Sequence, residues 1–226
     1  RSVFEGKSGL FQAMSKALRA EEVMKDIGNP FLITDTYNKF YPTCRHSQPA
    51  IEAALNLGIA HQLRPEDVDH IEVGTHHVAF DLTGQIKAPK NPGEAKFSLA
   101  YGVAAALYDH GVAVRHLTQA FYTQEKYLDL ARRVSVRIDD AVEALYPKRR
   151  GAVVRIVMKD GCSYEEACYD LKGSPQNPVG FDELVRKFRT AADGLLQPEK
   201  IEELLGRCAA FEQESDMRSF SALLNY

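Results

Sequence analysis

Ala152-Val-Val-Arg-Ile-Val-Met-Lys159 and Ser163-Tyr-Glu-Glu-Ala-Cys-Tyr-Asp-Leu171 stand on either side of Asp160-Gly161. The first run alternates along its length, the period of a strand with one face buried. Asp-Gly supplies a tight two-residue turn, because such turns need residues that tolerate positive φ. The stretch therefore predicts an antiparallel hairpin. Two further runs alternate upstream: Val134 to Ile138, and His70 to Leu82. In the second, Ile71, Val73, Thr75, His77 and Ala79 would share one face, and His70, Glu72, His76, Val78 and Phe80 the other.

Helical periodicity surrounds these strands. Ser47 to Leu63 reads as a helix with Ser47 as N-cap and Ile51, Ala54, Leu55 and Ile59 as its apolar face. Ala95 to Asp109 is the most apolar helix, stopped at His110-Gly111. Helices are also expected at Ser8–Gly28, Leu117–Phe121, Gln124–Arg132, Phe181–Leu195, Pro198–Phe211 and Met217–Leu224. Phe31 to Tyr37 reads as a strand or an extended lead-in, Pro65 to Val68 as a turn, and Thr83 to Gly93 as a loop. The fold class is α+β. A small mixed unit over residues 31–171 is flanked by helical segments, 1–30 and 172–226, that need something else to pack on.

Composition excludes several functions. The chain has 226 residues, 45% hydrophobic and 26% charged, with a formal net charge of −3. That balance allows a real core and argues against nucleic acid as a partner, since a bulk positive field is missing. No run reaches the ~18 apolar residues of a membrane span, so no membrane partner is expected. Cys44, Cys162, Cys168 and Cys208 form no CxxC pair and fit reduced thiols better than a disulfide framework or a zinc site. With no signal-peptide pattern at its start, the chain is expected in the cytoplasm, or in mitochondria if the source is eukaryotic. Its opening at Arg1, without an initiator Met, points to processing or to a piece of a longer protein.

Chemistry-bearing residues gather in two stretches. Lys39-Phe-Tyr-Pro-Thr-Cys-Arg-His46 sets a lysine, a thiol, a guanidinium and an imidazole just before a helix start. Pro42 bars a regular helix through the stretch, and the helix amides beyond it suit a carboxylate. The alternative is a solvated basic turn with Cys44 tucked into the core. Glu94-Ala-Lys-Phe-Ser-Leu-Ala-Tyr101 places Ser98 and Tyr101 on one helix face. There the alternative is a core tyrosine whose hydroxyl is satisfied by a neighbour. His76 and His77 would point to opposite faces of a strand, poor geometry for joint metal binding, so both read as structural. His61, His70, His110 and His116 have no partner at a catalytic spacing. Lys172-Gly-Ser-Pro-Gln-Asn-Pro178 lacks the P-loop pattern and reads as a rigid crossover, with Ser174 and Asn177 capping turns. No metal site is expected.

In order and spacing, these two stretches and Lys172–Pro178 resemble the C-terminal half of the MmgE/PrpD family. That family includes 2-methylcitrate dehydratase, cis-aconitate decarboxylase and iminodisuccinate epimerase. The resemblance implies a lid domain over a mainly helical domain built from both chain ends, with no cofactor and a small carboxylic acid as substrate. It implies that Lys39, Cys44 and Tyr101 are catalytic positions, Lys39 by contacting a substrate carboxylate. Arg45, His46, Lys96 and Ser98 become substrate-binding candidates. A decarboxylase would carry a histidine at the position of Cys44, so the resemblance favours a dehydratase-like hydro-lyase over a decarboxylase or an epimerase. It also implies a homodimer. Residues from the preceding helical domain, or from a companion chain, would have to complete the site. A non-catalytic module that binds an acid or assists assembly is the alternative from another class.

Overall fold

The structure is a computed structural model that describes residues 2–7, 9–15, 22, 25, 27–28 and 31–224. They divide into two compact units, Arg1–Thr36 and Tyr37–Tyr226. In the first unit Ser2–Glu5 and Leu10–Met14 are helical. The helix expected over Ser8–Gly28 is interrupted at Ser15, which is extended, while Glu22 and Lys25 are helical again. Residues 8, 16–21, 23, 24 and 26 of that expectation lie outside the described residues. Leu32–Asp35 is a 3-10 turn rather than a strand, and Thr34 and Thr36 each close a hydroxyl bond to the carbonyl three residues back.

The second unit is built on a four-stranded mixed sheet in the order β2-β1-β3-β4. Its strands are β1 (Val68–Thr75), β2 (Val134–Ile138), β3 (Ala152–Met158) and β4 (Ser163–Cys168). The expected hairpin forms from β3 and β4, with Ala152 opposite Cys168 and Ile156 opposite Tyr164. Gly161, at φ 89°, takes the left-handed turn position that favours glycine. β1 runs antiparallel to β3 and parallel to β2, pairing Val73 with both Val154 and Val136.

The Gln48–Ala60 helix lies on β3 and β4 and against the Leu99–Asp109 helix, which packs in turn on Glu125–Arg132. Small residues permit that contact. A Cβ on Gly102 would sit 2.6 Å from Ile51 Cδ1, and one on Gly58 would sit 3.0 Å from Leu107 Cδ2. Ile51, Ala54, Val73, Val103, Leu130, Val154 and Ile156 form the shared core. The chain is thus an α+β fold, as its periodicities require.

Four expectations change. β1 ends at Thr75, and His77–Thr83 is a helix whose buried positions are Ala79 and Thr83, four apart rather than two. Ser98 breaks the long apolar helix into Pro92–Phe97 and Leu99–Asp109, its hydroxyl accepting the Tyr101 amide. Ser47 is not a side-chain cap: its hydroxyl donates to the Cys44 carbonyl at 2.9 Å, and a 3-10 turn, Arg45–Ser47, leads into the helix. Ile59 is 57% exposed, and Leu57 takes the core position instead. A short helix at Asp140–Glu143, capped by Asp139, was not anticipated. At the other end, Ser174 and Asn177 close the expected crossover turn.

Candidate functional site

The Tyr41–Ser47 turn is laced down by the helix that it enters. The Gln48 side chain donates to the carbonyls of Tyr41 and Thr43 at 2.9 and 3.0 Å, and the Cys44 amide donates to the Lys96 carbonyl at 2.8 Å. Two neighbouring side chains are thereby fixed in half-buried surroundings, Arg45 and His46.

Arg45 is unusual. Its Nε and Nη1 are buried and have no hydrogen-bond partner among the described residues, as is also true of Thr43 Oγ1, Gln48 Oε1 and Arg133 Nε. Its guanidinium carbon stands 5.0 Å from the Tyr37 ring centroid, and burial, with Arg150 adding repulsion, disfavours the charge. A desolvated cation with unanswered donors costs free energy that an arriving carboxylate would recover. Arginine stays charged regardless, so the turn offers two unmet donors and a positive charge.

His46 Nδ1 lies 3.4 Å from Nε2 of His76, with the rings edge-on at 5.1 Å. His76 is 1% exposed and accepts the Ala79 amide on Nδ1 at 3.4 Å, capping the His77–Thr83 helix. Tyr146 stacks on its far face at 4.3 Å and 17°. Burial first, then His46, pushes His76 down to about 4, and burial, Arg150 and Arg45 lower His46. Both rings are therefore uncharged near neutrality. His77 turns outward, its amide and Nδ1 both donating to Glu143 at 2.7 and 2.6 Å.

Lys39 lies elsewhere, on the wall of an open cavity of about 570 Å³. Phe40, Tyr41 and Pro42 line it on one side, Val112 to Val114 on another, and the Phe181–Ala192 helix closes it. Lys172 pairs with Glu183 there, while Lys39 makes no ion pair or hydrogen bond with the described residues. Lys96 is exposed and meets Cys44 through its backbone only.

Ser98 and Tyr101 sit in the core. The Ser98 hydroxyl donates to Ile86 O at 2.5 Å, and the Tyr101 hydroxyl donates to His116 O at 2.8 Å. His116 is fully buried, with Nε2 2.8 Å from Asp109, which also accepts from Tyr127 at 2.9 Å. Asp109 thus pairs with His116, not with its sequence neighbour His110, which only ends the helix at φ 52°. His116, read from sequence as partnerless, anchors this network. Among the described residues, no group of three or more His, Cys, Asp or Glu side chains is placed to hold a metal ion.

The sequence reading named Arg45 and His46 as candidates and gave His76 a structural role, but it did not single out Tyr146 or Arg150. Histidine is not an ordinary helix cap, so nothing in Thr75-His-His-Val flagged a helix start.

A mixed-sheet α+β domain thus sets the Arg45 guanidinium and two imidazoles, His46 and His76, on and beside a Tyr-Pro turn. The MmgE/PrpD C-terminal domain model matches residues 41–210, and the chain belongs to that family. The match covers Cys44, Arg45, His46, Lys96, Ser98 and Tyr101, and Lys39 stands two residues before it. No curated protein matches the chain.

Proposed function

We propose that the chain supplies the acid-binding, proton-handling side of a cofactor-independent enzyme acting on a di- or tricarboxylic acid, specifically a hydro-lyase of 2-methylcitrate dehydratase type. The observation behind it is the half-buried guanidinium of Arg45 beside His46, with Nε and Nη1 buried and unanswered among the described residues. Dehydration breaks a C–H bond next to a carboxylate and a C–O bond beyond it, forms C=C and releases water. Negative charge grows on the carboxylate as the proton leaves, and a desolvated cation there lowers the barrier. Arg45 takes that role, and His46 faces the departing oxygen. Lys39, on the wall of the separate cavity that Tyr41 and Pro42 also line, is left for a second carboxylate that reaches past the turn, and Cys44 lines the turn. Tyr101 acts at one remove, holding the His116 turn next to the cavity wall.

In this reading residues 31–171 are a lid, and 1–30 with 172–226 belong to a helical domain. A preceding domain or companion chain completes the site, and the working form is a homodimer. Four unbridged cysteines fit the cytoplasm or mitochondrial matrix.

Titration calorimetry with 2-methylcitrate, cis-aconitate and iminodisuccinate tests the site. Arg45→Met is expected to weaken binding at least tenfold, about 1.4 kcal/mol, and Lys39→Ala to weaken it less. Unchanged affinity in Arg45→Met removes the site. A dehydratase then shows itself by double-bond absorbance from 2-methylcitrate but not by release of carbon dioxide from cis-aconitate.

A further inference from the structure

The contacts around His76 fix the direction in which hydrogen bonds run towards His46. A backbone N–H can only donate, so the Ala79 amide requires a lone pair on His76 Nδ1. An uncharged imidazole then carries its proton on Nε2, the atom that faces His46 Nδ1 at 3.4 Å. His46 Nδ1 must accept, which leaves the His46 proton on its own Nε2. That nitrogen makes no hydrogen bond with the described residues and is not among the buried unpartnered atoms. Tyr146, stacked flat on His76, keeps the His76 ring from swinging out of line. Burial, the largest cause for both, favours two neutral rings; Arg150 and Arg45 also oppose a proton on His46, and His46 opposes one on His76 against the pull of Glu143.

From this relay we infer that His76 is a positioning residue, setting His46 as a neutral Nε2–H donor aimed at the substrate rather than as a base. This deepens the hydro-lyase reading and rests on it for the identity of the substrate. A neutral imidazole N–H beside Arg45 polarises the departing oxygen by hydrogen bonding and keeps its own proton. The proton taken from carbon by the base leaves with the hydroxyl as water. Nδ1, occupied by His76, is not available to remove the proton from carbon. That base must come from another group, in keeping with a site completed by a second domain. The strand reading of His70–Leu82 had given His76 a structural role only. As a cap it does both, holding the start of a helix and the tautomer of its neighbour.

Long-range proton–nitrogen NMR on the histidine-labelled chain tests the assignment without any substrate. His46 is expected to show an unprotonated Nδ1 and a protonated Nε2, and His76 the same pattern. In His76→Phe, which keeps a ring against Tyr146 but loses the donor, the His46 nitrogens are expected to average between both tautomers. In His76→Gln, whose amide can still donate, they are expected to return. A wild-type spectrum with the His46 proton on Nδ1 overturns the inference, and needs no variant to fold. So does a His46 pattern unchanged in a folded His76→Phe.

On the completed enzyme, His76→Phe is expected to lower kcat at least roughly tenfold, with the Kd for the acid within about twofold. Gln is expected to recover part of the loss. Equal kcat overturns the positioning role. Absence of acid binding in the wild type sinks the functional reading instead, and the tautomer assignment stands or falls by the spectra.

Discussion

At the scale of single residues, Arg45 and His76 both hold groups that would be more stable elsewhere. A buried arginine without partners resists replacement by leucine or methionine only where something selects for its charge. Arg45→Met is therefore expected to leave urea stability equal or raise it by about 1–3 kcal/mol while losing the acid. A drop in stability would mean that the guanidinium has a structural partner. His76 makes its own demand through pH. An ordinary imidazole titrates at 6.5, whereas burial and His46 hold His76 down to about 4. Between those values the unfolded chain binds a proton that the folded chain refuses, so stability falls as pH drops from about 6.5 to about 4. The loss from this one group is on the order of 3 kcal/mol. His76→Phe is expected to remove that slope, read as the difference between wild-type and variant urea midpoints at pH 7 and pH 5. Parallel curves would show that His76 takes up its proton in both states.

At the scale of elements, the two central helices depend on glycine at their crossing. Gly102→Ala drives a Cβ to 2.6 Å from Ile51 Cδ1, the very methyl that Ile51→Val deletes. The single change is expected to cost about 1–3 kcal/mol. Ile51→Val in the Gly102→Ala background is expected to recover part of it, so a double-mutant cycle should return positive coupling. Strict additivity would mean that the helices simply move apart. Elements of this kind were legible because their signals are local. Asp160-Gly161 forced the hairpin, and the apolar run to Leu107 forced a buried helix. Where local signals compete, the reading failed. Residues 76–83 continue an alternation that suits a strand, yet Ala79 and Thr83 have only one side to bury, and a histidine cap decides for helix. Ser98 sits in an apolar run that reads as unbroken helix, and its hydroxyl breaks it by capping the next segment. The site divided in the same way. Arg45 and His46 lie in one run of sequence and were found together. His76 and Tyr146 reach His46 only through the fold, 30 residues away in the case of His76.

At the scale of the molecule, burial is unevenly shared. Every residue from Leu99 to Leu107 is buried, as are most positions of Gln48–Ala60. By contrast, Phe181–Ala192 buries only Ala192, Pro198–Ala209 only Ile201 and Leu204, and Met217–Ala222 nothing. Phe181, Leu195, Phe211 and Met217 stand about half exposed or more, while Leu204 is tucked in. Arg189–Glu202 ties the two longer helices to each other at 2.8 Å, and an exposed ion pair of that kind adds little. Opening free energy follows buried apolar contact, so the sheet and its two helices should open only globally, and residues 181–222 well before them. Native-state hydrogen exchange on the isolated chain is expected to show that order, with peptides from 181–222 exchanging at least roughly a hundredfold faster than those from 99–107, about 2.7 kcal/mol. If a helical domain covers these helices in the working enzyme, adding that domain should slow exchange in 181–222 and leave 99–107 unchanged. Equal protection of both regions in the isolated chain would mean that the C-terminal helices are already fully supported. The cover that the lid reading requires would then have to lie elsewhere.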